Sequence, residues 1–199
     1  MEKALKKVVD ILIENGSISQ KYEEVYAYTL RSIWILGWNI IISLVIGFLM
    51  NMPIYCAVFL LTLIPLRSYA GGYHDKSLFF CYFLSYVTLI FALLWIKNTF
   101  PHQELITAVG AVVSWVAIFR FAPLENENKP LETREKEIIR GKARIIVTIE
   151  TVIGIMCFLV NKKMSYAICQ AVILCAVGYA GWLIKRKLAH TGRRQHERK

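Results

Sequence analysis

Residues 52–96 read "MPIYCAVFLLTLIPLRSYAGGYHDKSLFFCYFLSYVTLIFALLWI". Two apolar runs, 52–66 and 78–96, enclose a polar junction that holds Arg67, Gly71, Gly72, His74, Asp75, Lys76 and Ser77. The runs are continuous rather than alternating, which reads as helix and not as barrel strand. A helix needs roughly 20 predominantly apolar residues to cross the hydrocarbon core of a bilayer. Backbone groups find no water there, so a spanning segment must satisfy its own hydrogen bonds. The second run meets that length. The first is short, and it extends as a helix through Arg67 if the arginine is buried against protein.

The same pattern recurs along the chain, at 32–50, 105–124, 145–160 and 165–184. With 199 residues, 56% of them hydrophobic, and a mean hydropathy of +0.47, the chain reads as all-α. It is a polytopic integral membrane protein with about six transmembrane helices in one domain, 1–199. Residues 1–31 are too charged to span. Leu5, Val8, Val9, Ile11 and Leu12 recur at helical spacing beside Lys3, Lys6 and Lys7. That pattern predicts an N-terminal amphipathic helix lying on membrane lipids of the anionic cytoplasmic leaflet. It lacks the apolar core of a signal peptide.

Charge fixes the expected topology. Segments 1–31, 67–77, 120–144 and 185–199 hold 21 of the 24 Lys and Arg residues, and the intervening loops hold only Lys97, Lys162 and Lys163. Basic residues concentrate in cytoplasmic loops, so both termini and the polar junction are expected inside, with 185–199 a basic cytoplasmic tail. The net charge of +10 is then a consequence of topology, and no nucleic-acid partner is expected.

The junction is either an ordinary cytoplasmic turn or a site. Three features favour a site. His74 and Cys81 lie seven residues apart, too far along one helix to share a hydrogen bond. Gly71 and Gly72 tolerate positive φ and allow the chain to fold back, bringing His74 to the start of the third span. Asp75 and Ser77 are good N-caps, and either leaves Cys81 within the first one or two turns of that span. Orphan N–H groups and the helix dipole there favour a thiolate. A thiolate attacking a carbonyl forms a thioester, and exclusion of water at the membrane boundary slows its hydrolysis.

Arg67-x3-Gly71-Gly72-x-His74-x6-Cys81, together with "FRFAPLENENKPL" at 119–131, resembles the accessory gene regulator B (AgrB) family. These are membrane cysteine peptidases of bacterial quorum sensing. The resemblance covers essentially the whole chain. It implies that a short precursor peptide, AgrD-like, is cut on its C-terminal side and closed into a thiolactone ring by its own internal cysteine. Cys81 matches the family's nucleophile and His74 its general base, while Arg67 and Gly72 match positions needed around them. It also implies a homodimer in the bacterial cell membrane, with the active site at the cytoplasmic face.

Other polar residues admit structural readings. Asp75 caps a helix or orients His74. Glu150, inside the fifth span, is a functional candidate by position; it forms a structural ion pair with Arg67 or Arg120, holds His74, or carries protons. Asn39 and Gln170 suggest contacts between helices. The alternating charges at 126–144 make either a solvated linker with a short helix or a docking surface for the precursor. No metal-ligand spacing, phosphate loop or Gly-x-Ser-x-Gly motif occurs, and no cofactor is expected. The alternative function is a small transporter or channel, with Glu150 as a relay and Gly71-Gly72 as a broken helix. A non-catalytic membrane scaffold is a third reading.

Overall fold

The computed structural model describes residues 23–70, 78–123 and 133–196, with scattered positions between 8 and 19. Side chains at the start of the second and third of these stretches, and through most of the last twenty residues, lie outside the description. Six helices make up the described residues, and no strand occurs among them: α1 Glu23–Leu49, α2 Pro53–Ala70, α3 Leu78–Lys97, α4 Gln103–Phe121, α5 Thr133–Val160 and α6 Lys162–His196. The fold is all-helical, as the apolar runs predict. Of the expected amphipathic segment, Val8, Val9, Ile11 and Ile13 are helical.

The chain falls into two compact units, Met1–Val45 and Ile46–Lys199. In the first, Trp34 and Trp38 meet edge to face at 6.4 Å. The second holds two apolar clusters. One joins Met52, Cys56 and Phe59 of α2 and its entry to Leu89, Leu93 and Ile96 of α3 and Ala167 of α6. The other joins Leu66 of α2, Ile118 of α4, Val147 of α5, and Val172 and Cys175 of α6. Helices α2 and α6 pass through both clusters, so they form the spine against which the others pack. At one end, Lys97 of the last turn of α3 donates to the Met50 carbonyl, just before α2, at 3.5 Å, which sets α2 and α3 antiparallel.

Three helical stretches are long and apolar enough to cross a membrane, Glu23–Leu49, Gln103–Phe121 and Arg134–Val160, while Pro53–Tyr69 and Phe83–Lys97 are shorter apolar helices. Only 11–22% of the three long apolar windows is buried within the protein. Their apolar surface therefore faces outward, as lipid solvation requires and water would penalise.

Several helix boundaries differ from the hydropathy reading. Helix α1 begins at Glu23, nine residues before the predicted span, because Glu23 and Glu24 in its first turn complement the helix dipole. Helix α2 continues past Pro65 to Ala70, as the short second run suggested. The short charged helix expected within 126–144 is the first turns of α5, which run on into the apolar stretch without a break. Helix α6 runs without a break to His196, so most of the basic tail is helical.

The turns explain why the helices stop where they do. Asn51 adopts a left-handed conformation, φ 58°, and the Met52 N–H donates back to the Gly47 carbonyl at 2.8 Å. Asparagine tolerates this C-terminal geometry, and Pro53 then opens α2 without wasting a donor. Asn161 accepts from the N–H groups of Lys163 and Met164, at 3.1 and 3.3 Å, and so caps α6. At the α3–α4 turn, Gln103 donates to the Trp95 carbonyl, and Trp95 donates to Thr107 Oγ1 at 3.2 Å. Glu104 binds Lys162 at 2.6 Å; this hydrogen bond and charge hold the Lys162 ammonium above its usual range.

The C-terminal end of α4 is closed by two arginines of α5. Arg144 Nε donates to the Phe119 carbonyl at 3.0 Å and Arg140 Nε to the Ala122 carbonyl at 3.2 Å. Both satisfy carbonyls that the helix end leaves without internal donors, and both place positive charge at the negative end of the dipole. The Arg144 guanidinium also lies 4.6 Å from the Phe119 ring centroid. Trp115, stacked on Phe119 at 5.2 Å, donates to Thr148 Oγ1 at 3.1 Å.

Polar side chains inside the helices mostly bond their own backbone. Thr62, Ser68 and Thr151 each donate to the carbonyl four residues earlier, at 2.7–2.9 Å. Asn39 does the same, to Ile35 at 3.0 Å, and not to a neighbouring helix as expected from sequence. Gln170 is buried in α6.

Two stability predictions follow from this geometry. A Cβ on Gly47 would stand 2.5 Å from Cys56 Cβ, which has no flexible end to yield. Gly47→Val should therefore cost about 1–3 kcal/mol, read as a lower midpoint for unfolding in mixed detergent micelles. Arg144→Ala removes a charge-assisted cap and a ring contact, and should lower the same midpoint by about 1–2 kcal/mol. Arg144→Lys should recover only part of that loss, because an ammonium cannot keep the planar stacking.

Candidate functional site

The site is built from two helix ends. Arg67 lies in the last turn of α2, and Cys81 lies three residues after the start of α3 at Leu78. Phe59 of α2 and Leu89 of α3 belong to one core cluster. Arg67 follows the first by eight residues and Cys81 precedes the second by eight. At about 1.5 Å per residue, both backbones stand about 12 Å from that cluster along the same direction. The antiparallel pair thus carries Arg67 and Cys81 to the same end of the bundle. Gly71, Gly72, His74, Asp75 and Ser77 lie outside the described residues, and so does the Cys81 side chain.

Beneath this end, α2, α5 and α6 converge. Leu66, Val147, Val172 and Cys175 are all buried in one cluster, with Tyr69 and Ile146 packed on it. Arg67 follows Leu66, and Glu150 stands less than one turn beyond Val147. Both Arg67 and Glu150 lie within electrostatic reach of the Cys175 thiol. The expected ion pair of Glu150 with Arg67 or Arg120 is not formed among the described residues; Glu150 Oε2 is buried and has no hydrogen-bond partner there. The structure thus joins Leu66, the neighbour of Arg67, and Val147, one turn before Glu150, to Cys175, which sequence reasoning treated as apolar filling.

Other cations at this end are directed elsewhere. The Lys142 ammonium sits 5.4 Å from the Tyr69 ring centroid, while Arg140 and Arg144 bind the end of α4. The 119–131 motif therefore begins at a helix terminus held by two arginines. The spacing of Arg140 and Arg144, four apart, places them on one helix face and was visible in the sequence. Their carbonyl targets were not, because those belong to a different helix.

None of the described thiols of Cys56, Cys157, Cys169 and Cys175 forms a disulfide. Cys56 and Cys175 are packed in the two core clusters, where cysteine acts as a small apolar residue. Cys56 stands three residues after the start of α2, as Cys81 does in α3, but it is fully buried in the core.

Comparison with known proteins agrees with the sequence motifs. The chain is 28% identical over 151 residues to a putative AgrB-like protein of Clostridium perfringens (strain SM101 / Type A), covering 72% of this chain and 71% of the relative. It is 25% identical over 139 residues to the accessory gene regulator protein B of Staphylococcus aureus (strain MW2), covering 70% and 72% respectively. No solved structure matches it. Residues 5–179 match the family accessory gene regulator B, a stretch that includes both motifs, all of α1 to α5 and the packed part of α6; the chain belongs to the AgrB family.

Proposed function

We propose that the protein is a membrane-embedded cysteine endopeptidase that matures a quorum-sensing peptide. The observation that carries this reading is the run Arg67-x3-Gly71-Gly72-x-His74-x6-Cys81, inside the matched family region, with its two outer members on adjoining ends of α2 and α3. His74 takes the proton of the Cys81 thiol. The thiolate attacks the scissile carbonyl of a short precursor peptide, the C–N bond breaks, and His74 returns its proton to the leaving amine. The N-terminal part of the precursor is left as a thioester on Cys81. An internal cysteine thiolate of that peptide then attacks the same carbonyl, which closes a thiolactone and releases Cys81 as a thiolate. Thioester and thiolactone are of similar energy, so exclusion of water decides whether ring or free acid forms.

In this reading six helices span the bacterial cell membrane, both termini are cytoplasmic, and segment 1–31 lies on lipid. The Arg67–Cys81 end faces the cytoplasm, where basic residues concentrate. Two copies form a homodimer. Gly71 and Gly72 let the peptide substrate approach the backbone closely, and Asp75 caps α3 or orients His74. The acidic and basic run that begins at 126 docks the charged C-terminal part of the precursor. The rival, a small transporter using Glu150, draws on the half-buried carboxylate of α5.

Co-expression with the short cysteine-containing peptide of the adjacent reading frame tests the chemistry. Cys81→Ala and His74→Ala should each lower cleavage by about 10³-fold or more, with membrane insertion unchanged. Normal processing by Cys81→Ala would refute the peptidase reading. A transporter would instead tolerate Cys81→Ser and fail on Glu150→Gln. Topology is tested separately. Single cysteines introduced at Lys76 and Lys136 should react with a membrane-impermeant maleimide only after the cells are opened, and one at His102 should react in intact cells.

A further inference from the structure

We infer that Arg140 and Arg144 of α5, held against the end of α4, form a binding site for the phosphate of an anionic phospholipid. The inference goes beyond the peptidase reading and does not depend on it. Arg144 is fixed from several sides. Its Nε donates to the Phe119 carbonyl at 3.0 Å, and its guanidinium lies 4.6 Å from the Phe119 ring centroid. That ring stacks on Trp115 at 5.2 Å. Trp115 donates to Thr148 Oγ1 at 3.1 Å, and Thr148 donates to the Arg144 carbonyl at 2.8 Å. These contacts close into a ring, so the guanidinium is set in place before any ligand arrives. Arg140, one turn earlier on the same face, donates through Nε to the Ala122 carbonyl at 3.2 Å.

Capping α4 uses only one of the five N–H donors on each guanidinium. The Nη groups of both side chains make no hydrogen bond, and neither side chain pairs with a carboxylate, among the described residues. Arg120, exposed in the last turn of α4, adds a third positive charge at this boundary. Two planar forks on adjacent turns suit the oxygens of a phosphate. The surroundings decide what carries that phosphate. The site lies where two apolar helices turn polar: α4 ends at Phe121, and the charged first turns of α5 give way to apolar residues at Ile145. On the apolar side of the arginines, Val116 of α4 and Ile145 and Ile149 of α5 are each more than half exposed. A soluble phosphate or an acidic peptide would leave this surface bare, whereas acyl chains below a headgroup cover it. On the proposed topology this end meets the cytoplasmic leaflet, where anionic lipids concentrate.

Native mass spectrometry of the purified chain, released from micelles holding equal amounts of phosphatidylglycerol and phosphatidylcholine, reads the binding. The wild type should retain one phosphatidylglycerol in preference to phosphatidylcholine by about tenfold or more. Arg140→Gln and Arg144→Gln should each lower that preference about fivefold, while Lys163→Gln, at the opposite end of the bundle, should leave it unchanged. Arg144→Lys keeps the charge but not the stacked fork, and should still lose at least half of the preference. It also stands in for Arg144→Gln if circular dichroism in phosphatidylcholine micelles shows that variant unfolded. Equal retention of the two lipids by the wild type would overturn the inference. So would an undiminished preference in both Arg140→Gln and Arg144→Lys, or an equal fall in Lys163→Gln. Displacement of the retained lipid by millimolar inorganic phosphate, or by a tetraglutamate peptide, would also overturn it and assign the arginines to a soluble anion.

Discussion

A peptide group in hydrocarbon has no water to bond, and every feature of this chain answers to that constraint. It makes the apolar segments helical and sends most internal hydroxyls to carbonyls of their own helix, as at Thr62, Ser68 and Thr151. It also confines irregular backbone to the ends of the bundle, where other groups supply the missing partners. Asn51 and Asn161 do so through their own conformation or side chain. Arg140 and Arg144 do so from a neighbouring helix. Among the described residues the interior polar groups are thus mostly satisfied within their own helices, with Glu150 Oε2 an exception.

Packing decides which margins meet. Because α2 and α6 run through both apolar clusters, the ends of α2 and α3 are held to one common base. Arg67 and Cys81 therefore come to the same end of the bundle although a polar segment separates them in sequence. Small residues aid this close packing. A Cβ at Gly154 of α5 would already stand 3.3 Å from Cys169 Sγ of α6, so the two helices are as near as a glycine permits.

The existence and helical nature of all six described elements were legible, because runs of apolar residues admit few other solutions at this length. Their edges were less so. Hydropathy reports which residues tolerate lipid, and helices continue past that limit. Glu23 and Glu24 prolong α1, the charged run from Thr133 opens α5, and α6 passes through Lys185, Arg186 and Lys187. For the site, local pattern exposed what is close in sequence: Arg67, the glycine pair, His74 and Cys81. The junction of Leu66, Val147 and Cys175 was not legible. These residues lie on three helices, and no local spacing encodes which face of α5 meets α2. Cys175 offered no polar signal at all, and its meaning comes only from its neighbours.

The ionisable residue that breaks the apolar rule beside this cluster, Glu150, is therefore informative. A core built only for stability would place an apolar side chain at position 150, one turn beyond Val147 of that cluster. A carboxylate there with one oxygen unbonded spends stability for no packing gain. Such local costs are expected where a fold serves a reaction.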